Sequence, residues 1–263
     1  MFPNIISIGP ITLHSYGLLL AIAFLVGLRV AAHYAKKDGL DPARIVDLVI
    51  YIFIAALIGA KILHVIVDFD YYRQDWSRLL HIYQVGGVYY GGFALAVIVT
   101  IWYVHKHRLN FWRTTDSLSM GLAIGQMFGR LGCFFAGCCW GIETDPGFPF
   151  AVTFTNPLAA EQVGTPLNIP LHPTQLYEAG GLLLIFLILM FLFPKRRFAG
   201  QQFFLYMLLY SILRFNVEFF RGDPRGSVFN GLLSTSQFIS LIVFIASLGV
   251  LVIRSRSRAA QTA

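Results

Sequence analysis

The chain is short of charge. Only 13% of its 263 residues are Asp, Glu, Lys or Arg, where a soluble domain carries about 25%. With 57% hydrophobic residues and a mean hydropathy of +0.67, that shortage excludes a set of ordinary soluble domains. It is also short of cysteine. The three, Cys133, Cys138 and Cys139, are odd in number and close together, which excludes a disulfide framework. With no fourth thiol and only His172 as a further donor, they read as small apolar packing residues rather than a closed metal site, and no metal is expected. Basic residues are missing ahead of the first apolar stretch, so the positively charged start of a cleavable signal peptide is absent and the stretch reads as a first membrane helix. Finally, the long segment 135–173 has no Lys or Arg at all.

What is present is a series of seven long apolar stretches, near 13–34, 45–67, 88–105, 115–135, 174–193, 201–220 and 233–253. About 20 apolar residues cross a bilayer as a helix, and helices satisfy their own backbone groups in lipid. The expected fold is an all-α polytopic membrane protein with seven transmembrane helices. It forms one integral-membrane domain over 1–263 and carries a small outer cap at 135–173. That cap has six prolines and an FAVTF run at 150–154 that suggests some β-structure.

The net charge of +7 does not point to nucleic acid, because of where the charges lie. Lys36, Lys37 and Arg44, then Lys106, Arg108 and Arg113, then Lys195, Arg196 and Arg197, and finally Arg254, Arg256 and Arg258 fill alternate connections and the tail. The other connections hold only Arg73, Arg78, Arg221 and Arg225. By the positive-inside rule the N-terminus and the 135–173 cap lie outside, and the 254–263 tail is cytoplasmic.

Four of the twenty Lys and Arg residues fall inside the apolar stretches. A charge at the bilayer centre costs about 2.5–3.5 kcal/mol on the insertion scale, so these positions are the first place to look for function. Arg29 reads as a snorkelling anchor and Asp116, near the same side, as an N-cap. Lys61, Arg130 and Arg214 are deeper. With a rise of about 1.5 Å per residue, Arg130 lies roughly 22 Å along its helix, toward the outside. Lys61, Arg214 and Glu218 fall in the same half. So do Tyr16, Tyr90 and the His172–Glu178 stretch, which begin helices entering from outside. Polar groups sharing one depth suggest an outer-leaflet cavity.

Four motifs supply it. In GRLGCFFAGCCWG (129–141), Gly129, Gly132, Gly137 and Gly141 permit close approach of backbone or ligand, and Arg130 can present a planar fork to phosphate. The alternative is helix packing through small residues. In RFNVEFFR (214–221), Arg214, Glu218 and Arg221 share one helix face. Arg214 suits a ligand and Arg221 a snorkelling anchor. In HPTQLYE (172–178), His172, Gln175 and Glu178 crowd the first turns of a helix. In HSYG (14–17) and GGVYYGG (86–92), Tyr16 and Tyr90 are placed to orient a phosphate or to belong to an interfacial aromatic belt. Lys61 can pair with Glu178 or Glu218 or hold an anionic head group.

In this order and spacing the motifs resemble the prolipoprotein diacylglyceryl transferase family across nearly the whole chain. The resemblance implies an enzyme of the bacterial inner membrane, a transferase without a cofactor. Its implied substrates are phosphatidylglycerol and the lipobox cysteine of a preprolipoprotein bearing its signal peptide. The diacylglyceryl group passes to the thiol as a thioether, and glycerol phosphate leaves. The family's arginines map to Arg130 and Arg214, and its early tyrosine to Tyr16. Three positions depart from the pattern. Tyr90 stands where members often have His, so a base assigned to that His does not carry over, and Cys133 and Cys138 stand where Asn and Glu are common. Substrate-binding positions are expected at Tyr16, Lys61, Gly129, Arg130, Gly132, Gly141, His172, Gln175, Glu178 and Glu218.

The chemistry is alkylation of sulfur at an sp³ carbon. It needs charge stabilisation of a departing phosphate, which Arg130 and Arg214 can provide, and loss of a thiol proton whose reference pKa is near 8.5. Tyr90, Glu218 and His172 are the candidates for taking that proton. The enzyme's own cysteines are not expected to be nucleophiles, because the accepting thiol arrives with the substrate. Two other classes compete: a transporter for an anionic solute, and a membrane thiol–disulfide oxidoreductase.

Overall fold

A computed structural model describes residues 4–8, 11–77, 87–223 and 226–262. The order of elements is β1 (Asn4–Ile8), β2 (Ile11–His14), α1 (Ser15–Lys37), α2 (Pro42–Val67), α3 (Phe69–Gln74), α4 (Tyr89–Lys106), α5 (Phe111–Ala136), β3 (Val152–Thr153), α6 (Pro157–Val163), β4 (Pro170–Leu171), α7 (Thr174–Leu192), α8 (Gln201–Val217), β5 (Ser227–Val228), β6 (Leu233–Ser234) and α9 (Thr235–Thr262). A long helix covers each of the seven apolar stretches. Six of them, α1, α2, α5, α7, α8 and α9, are long and apolar enough to cross a membrane. The 18-residue α4 is not among those six. Arg78, Gly86 and Arg225, named in the sequence reading, lie outside the described residues.

The distribution of side chains is that of a protein solvated by lipid. Ile54, Leu57, Ile58, Ile62 and Ile66 of α2 are exposed, as are Ile242 and Ile245 of α9. The buried set includes Asp116, Ser117, Ser119, Gln175, Glu178, Gln202 and Gln237. Apolar surface has no reason to hide in hydrocarbon, whereas polar groups must find one another there. The chain is a multi-pass membrane protein.

Two compact units are present, residues 1–31 with 115–263, and residues 32–114. In the smaller, α2 starts from Asp41, whose carboxylate accepts from Ala43 N at 2.9 Å, with Pro42 in the first turn. Helix α4 packs against α2 at Gly59 and Gly91, where a Cβ on either residue would strike the other's carbonyl oxygen. Only glycine allows helices that close.

In the larger unit, α1 and α5 meet the same way at Gly27 and Gly121, where a Cβ on Gly27 would lie 3.0 Å from the Gly121 oxygen. Asp116 is not the N-cap of its own helix. It lies inside α5, and its carboxylate accepts from Gly200 N at 2.8 Å and Phe203 N at 3.0 Å. It therefore caps α8 from a neighbouring helix, with Arg196 at 3.5 Å. The cap segment carries the expected β-structure, since β3 and β4 pair antiparallel. Between them α6 is capped by Asn156. Residues 4–8 and 11–14 add a feature the sequence reading omitted, an antiparallel β1–β2 pair with Asn4 opposite His14.

Candidate active site

Helix α5 ends at Gly137, whose φ of +87° a side chain would disfavour. Cys139 follows with φ of +65°. This tight turn is held at three successive carbonyls. Thr165 Oγ1 donates to Gly137 O at 3.0 Å, Gln175 Nε2 to Cys138 O at 2.8 Å and Thr174 Oγ1 to Cys139 O at 2.7 Å. Gly141 then donates its amide to His172 O and forms a bridge with Arg221. A Cβ on Gly141 would overlap the carbonyl oxygens of His172 and Phe220.

This corrects part of the sequence reading. The amides of Gly137 and Gly141 are spent on Cys133 O and His172 O, so they are not open to a ligand. Gly132 is faced by Tyr16 Cδ2 at 3.3 Å and Leu19 Cβ at 3.4 Å, a helix contact. Gly129 opens onto space, with nothing within 4 Å of where a Cβ would sit. Gln175 is fully buried and holds the turn. The His172 ring shares a hydrogen bond with Tyr177 Oη at 3.0 Å and packs edge-on against Phe148 and Phe220.

Around the turn lies a charged network. Arg130 Nη2 is 2.9 Å from Glu178 Oε1, with the glutamate side chain fully buried. Tyr210 donates to the same oxygen at 3.1 Å. Tyr206 stacks on Tyr210, rings 5.8 Å apart, and donates to Gln126 Oε1 at 2.6 Å. Gln126 and Arg130 are four residues apart on α5, as are Tyr206, Tyr210 and Arg214 on α8, so two i,i+4 rows face each other. Arg214 Nη2 pairs with Glu218 Oε2 at 2.6 Å and donates to Ser236 Oγ at 3.0 Å. The positive charges of both Arg130 and Arg214 reach Tyr210. Tyr16 lies within electrostatic range of Arg130 and all three cysteines.

Arg221 is not a snorkelling anchor. Helix α8 gives way after Val217 to a 3₁₀ turn, Glu218–Phe220, which turns Arg221 off the helix face it was expected to share. It is buried and forks onto Asp223 at 2.8 and 3.0 Å, with Glu178 Oε2 4.0 Å away. Burial pulls its guanidinium down, but hydrogen bonding to Asp223, the charges of Cys139 and Asp223 and hydrogen bonding to Cys139 together outweigh it and raise the group. Hydrogen bonding from Cys133 and then Cys138 holds the Cys139 thiol well below the usual thiol range, with Arg221 and Arg130 adding to it. Cys138 is pushed up by its hydrogen bonding to Cys133 and Cys139.

Lys61 and Tyr90 belong to the other compact unit. Tyr90 lies in the first turn of α4, 56% exposed, its ring edge-on to Tyr89. Glu178 and Glu218 pair with Arg130 and Arg214 respectively. Sequence reasoning missed Gln126, Tyr206, Tyr210, Asp223 and Ser236. The four-residue spacing of Tyr206, Tyr210, Arg214 and Glu218 was the available signal.

A family model described as prolipoprotein diacylglyceryl transferase matches residues 3–253. The phosphatidylglycerol–prolipoprotein diacylglyceryl transferase of Clostridium tetani is 35% identical over 250 residues, covering 95% of this chain and 96% of the relative. A second enzyme of that name in Clostridium perfringens is 33% identical, covering 90% and 89%. One from Thermosynechococcus vestitus is 30% identical, covering 90% and 87%. On this coverage, and with its motif residues gathered as described, the chain belongs to the prolipoprotein diacylglyceryl transferase family.

Proposed function

We propose that the chain transfers the sn-1,2-diacylglyceryl group of phosphatidylglycerol to the lipobox cysteine of preprolipoproteins at the outer face of a bacterial inner membrane. The substrate thiol loses its proton and its sulfur attacks the glyceryl carbon bonded to phosphate. A C–S bond forms, the C–O bond breaks, and glycerol phosphate departs with the bonding electrons. The enzyme's task is to neutralise charge growing on the departing phosphate in a medium of low dielectric.

The observation that carries this reading is the buried pair of Arg130 and Glu178, 2.9 Å apart. Glu178 holds Nη2 and Cys139 Sγ lies 3.8 Å from Nη1, so an anion would be met by the guanidinium's remaining N–H groups. Arg214 supports it from α8. Among the described residues its buried Nη1 has no hydrogen-bond partner. Such an unmet donor costs about 1–3 kcal/mol, and a phosphate oxygen would satisfy it. Tyr16 and Gly129 flank Arg130 and line the lipid's approach. From the sequence motifs alone, Tyr90 is assigned a part in the reaction and Lys61 the role of a cation for a lipid head group. His172, Gln175 and Gly141 act by building the turn, and Gly132 by letting α1 pack closely on α5.

In this proposal α4 is the seventh span, the N-terminus and the 135–173 cap face the periplasm, and the 254–263 tail is cytoplasmic, as the basic connections favour. The test is a reaction of purified protein with phosphatidylglycerol labelled in both glycerols and a lipobox peptide. Thioether-linked diacylglyceryl on the peptide, with the second label released as glycerol phosphate, is the expected product. An ester- or amide-linked acyl chain, or no product, would overturn the reading.

A further inference from the structure

The three cysteines do more than pack. Their Sγ atoms all lie within 4.8 Å of one another, and among the described residues no fourth His, Cys, Asp or Glu ligand atom joins them at that distance. We infer that Cys133, Cys138 and Cys139 form a trigonal thiolate site for a soft monovalent cation of the copper(I) type.

Three observations support it. First, the spacing fits. Metal–thiolate bonds of about 2.3 Å place the sulfurs of a planar trigonal centre about 4 Å apart, within the observed cluster. Second, the scaffold is already arranged. The αL turn at Gly137 and the positive φ of Cys139 bring Cys138 and Cys139 back over Cys133 on the last turn of α5, with Cys138 Sγ 3.7 Å from Cys133 O. The carbonyls of 137, 138 and 139 each accept a side-chain hydrogen bond, so the backbone has little to reorganise when an ion enters. Third, there is an outer contact. Arg130 Nη1 lies 3.8 Å from Cys139 Sγ, a donor placed to draw charge from a bound thiolate.

The number of ligands decides among thiophilic ions. Structural zinc closes tetrahedrally with four protein ligands, and iron–sulfur clusters use four cysteines. Soft thiolates with no fourth partner suit copper(I). An ion held here would sit beside the guanidinium that the proposed transfer uses.

The test uses the full-length protein in detergent, reduced and without oxygen, titrated with copper(I) against a colorimetric copper(I) chelator. One equivalent is expected to be withheld from the chelator. Cys133→Ser, Cys138→Ser and Cys139→Ser should each weaken binding at least tenfold, and the triple variant should retain none. X-ray absorption at the copper edge of the loaded wild-type protein should count three sulfur neighbours, a result that needs no variant to fold. Two or fewer sulfurs, equal retention by wild type and triple variant, or zinc(II) displacing copper(I) at equimolar concentration would each overturn the assignment.

Discussion

Arg130 on α5 and Glu178 on α7 meet at 2.9 Å with the carboxylate sealed from solvent. Two of the most suggestive motifs in the sequence therefore act as one unit. A guanidinium in a bilayer carries a large desolvation penalty, and a buried carboxylate offsets much of it only while both partners remain. Glu178→Ala should cost about 3–5 kcal/mol, the range for breaking a buried pair, with transfer lost. Glu178→Gln keeps an oxygen for Tyr210 and Arg130 and should cost less. Thermal unfolding in detergent with the labelled-lipid assay on the same preparations checks both.

The arginines should not tolerate lysine. A lysine in place of Arg130 keeps a charge but loses the planar fork that grips Glu178 and that the proposed reaction turns onto phosphate. Arg130→Lys and Arg214→Lys should each slow transfer by about 10²–10³-fold, the usual effect of removing one donor from a preorganised site. Near wild-type rates in a folded Arg130→Lys protein would separate that residue from the chemistry.

Tyr90 is exposed at the start of α4 and belongs to the smaller compact unit. Tyr90→Phe should slow transfer less than either arginine substitution. Turnover at matched lipid concentration compares the three. An equal loss would give Tyr90 a direct part in proton transfer or in orienting the lipid.

Much of this was legible in the sequence because lipid leaves few choices. A run of about 20 apolar residues must be a helix to satisfy its backbone, so α1, α2, α5, α7, α8 and α9 fall where hydropathy puts them. Arg130, Arg214, Glu178 and Glu218 stood out for the same reason, as charges in segments that disfavour charge. The i,i+4 pair of Arg214 and Glu218 is local and was readable. What escaped was long-range. Nothing near Asp116 in the chain says that it caps a helix starting 85 residues later, at Gln201. Arg221 looked like a helix-face residue because the helix end at Val217 has no glycine or proline to announce it. Tyr206 and Tyr210 looked like ordinary aromatic residues until their hydroxyls were seen on Gln126 and Glu178.

Tyr210 gives a finer test of the network. Its hydroxyl donates to the same Glu178 oxygen that holds Arg130. Tyr210→Phe leaves the ring stacked on Tyr206 and removes one hydrogen bond to a charged group, worth about 1.5–3 kcal/mol. Stability should fall by that amount, and transfer should drop while the apparent lipid KM changes little, since the hydroxyl steadies the carboxylate and does not bind the head group. A rise in KM with turnover unchanged would place Tyr210 on the lipid instead.

Asp116 separates folding from chemistry. Its two oxygens accept from Gly200 and Phe203 at the start of α8, at the end of that helix remote from Arg214. A cap of this kind contributes about 0.5–2 kcal/mol, and the carboxylate is fully buried, so Asp116→Ala should sit at the upper end of that range. Asp116→Asn retains one acceptor and should recover about half. In both variants the folded fraction should transfer lipid at the wild-type rate per molecule, because Arg130, Glu178 and Tyr210 keep their contacts. If turnover falls with no loss of thermal stability, the start of α8 is coupled to the site itself.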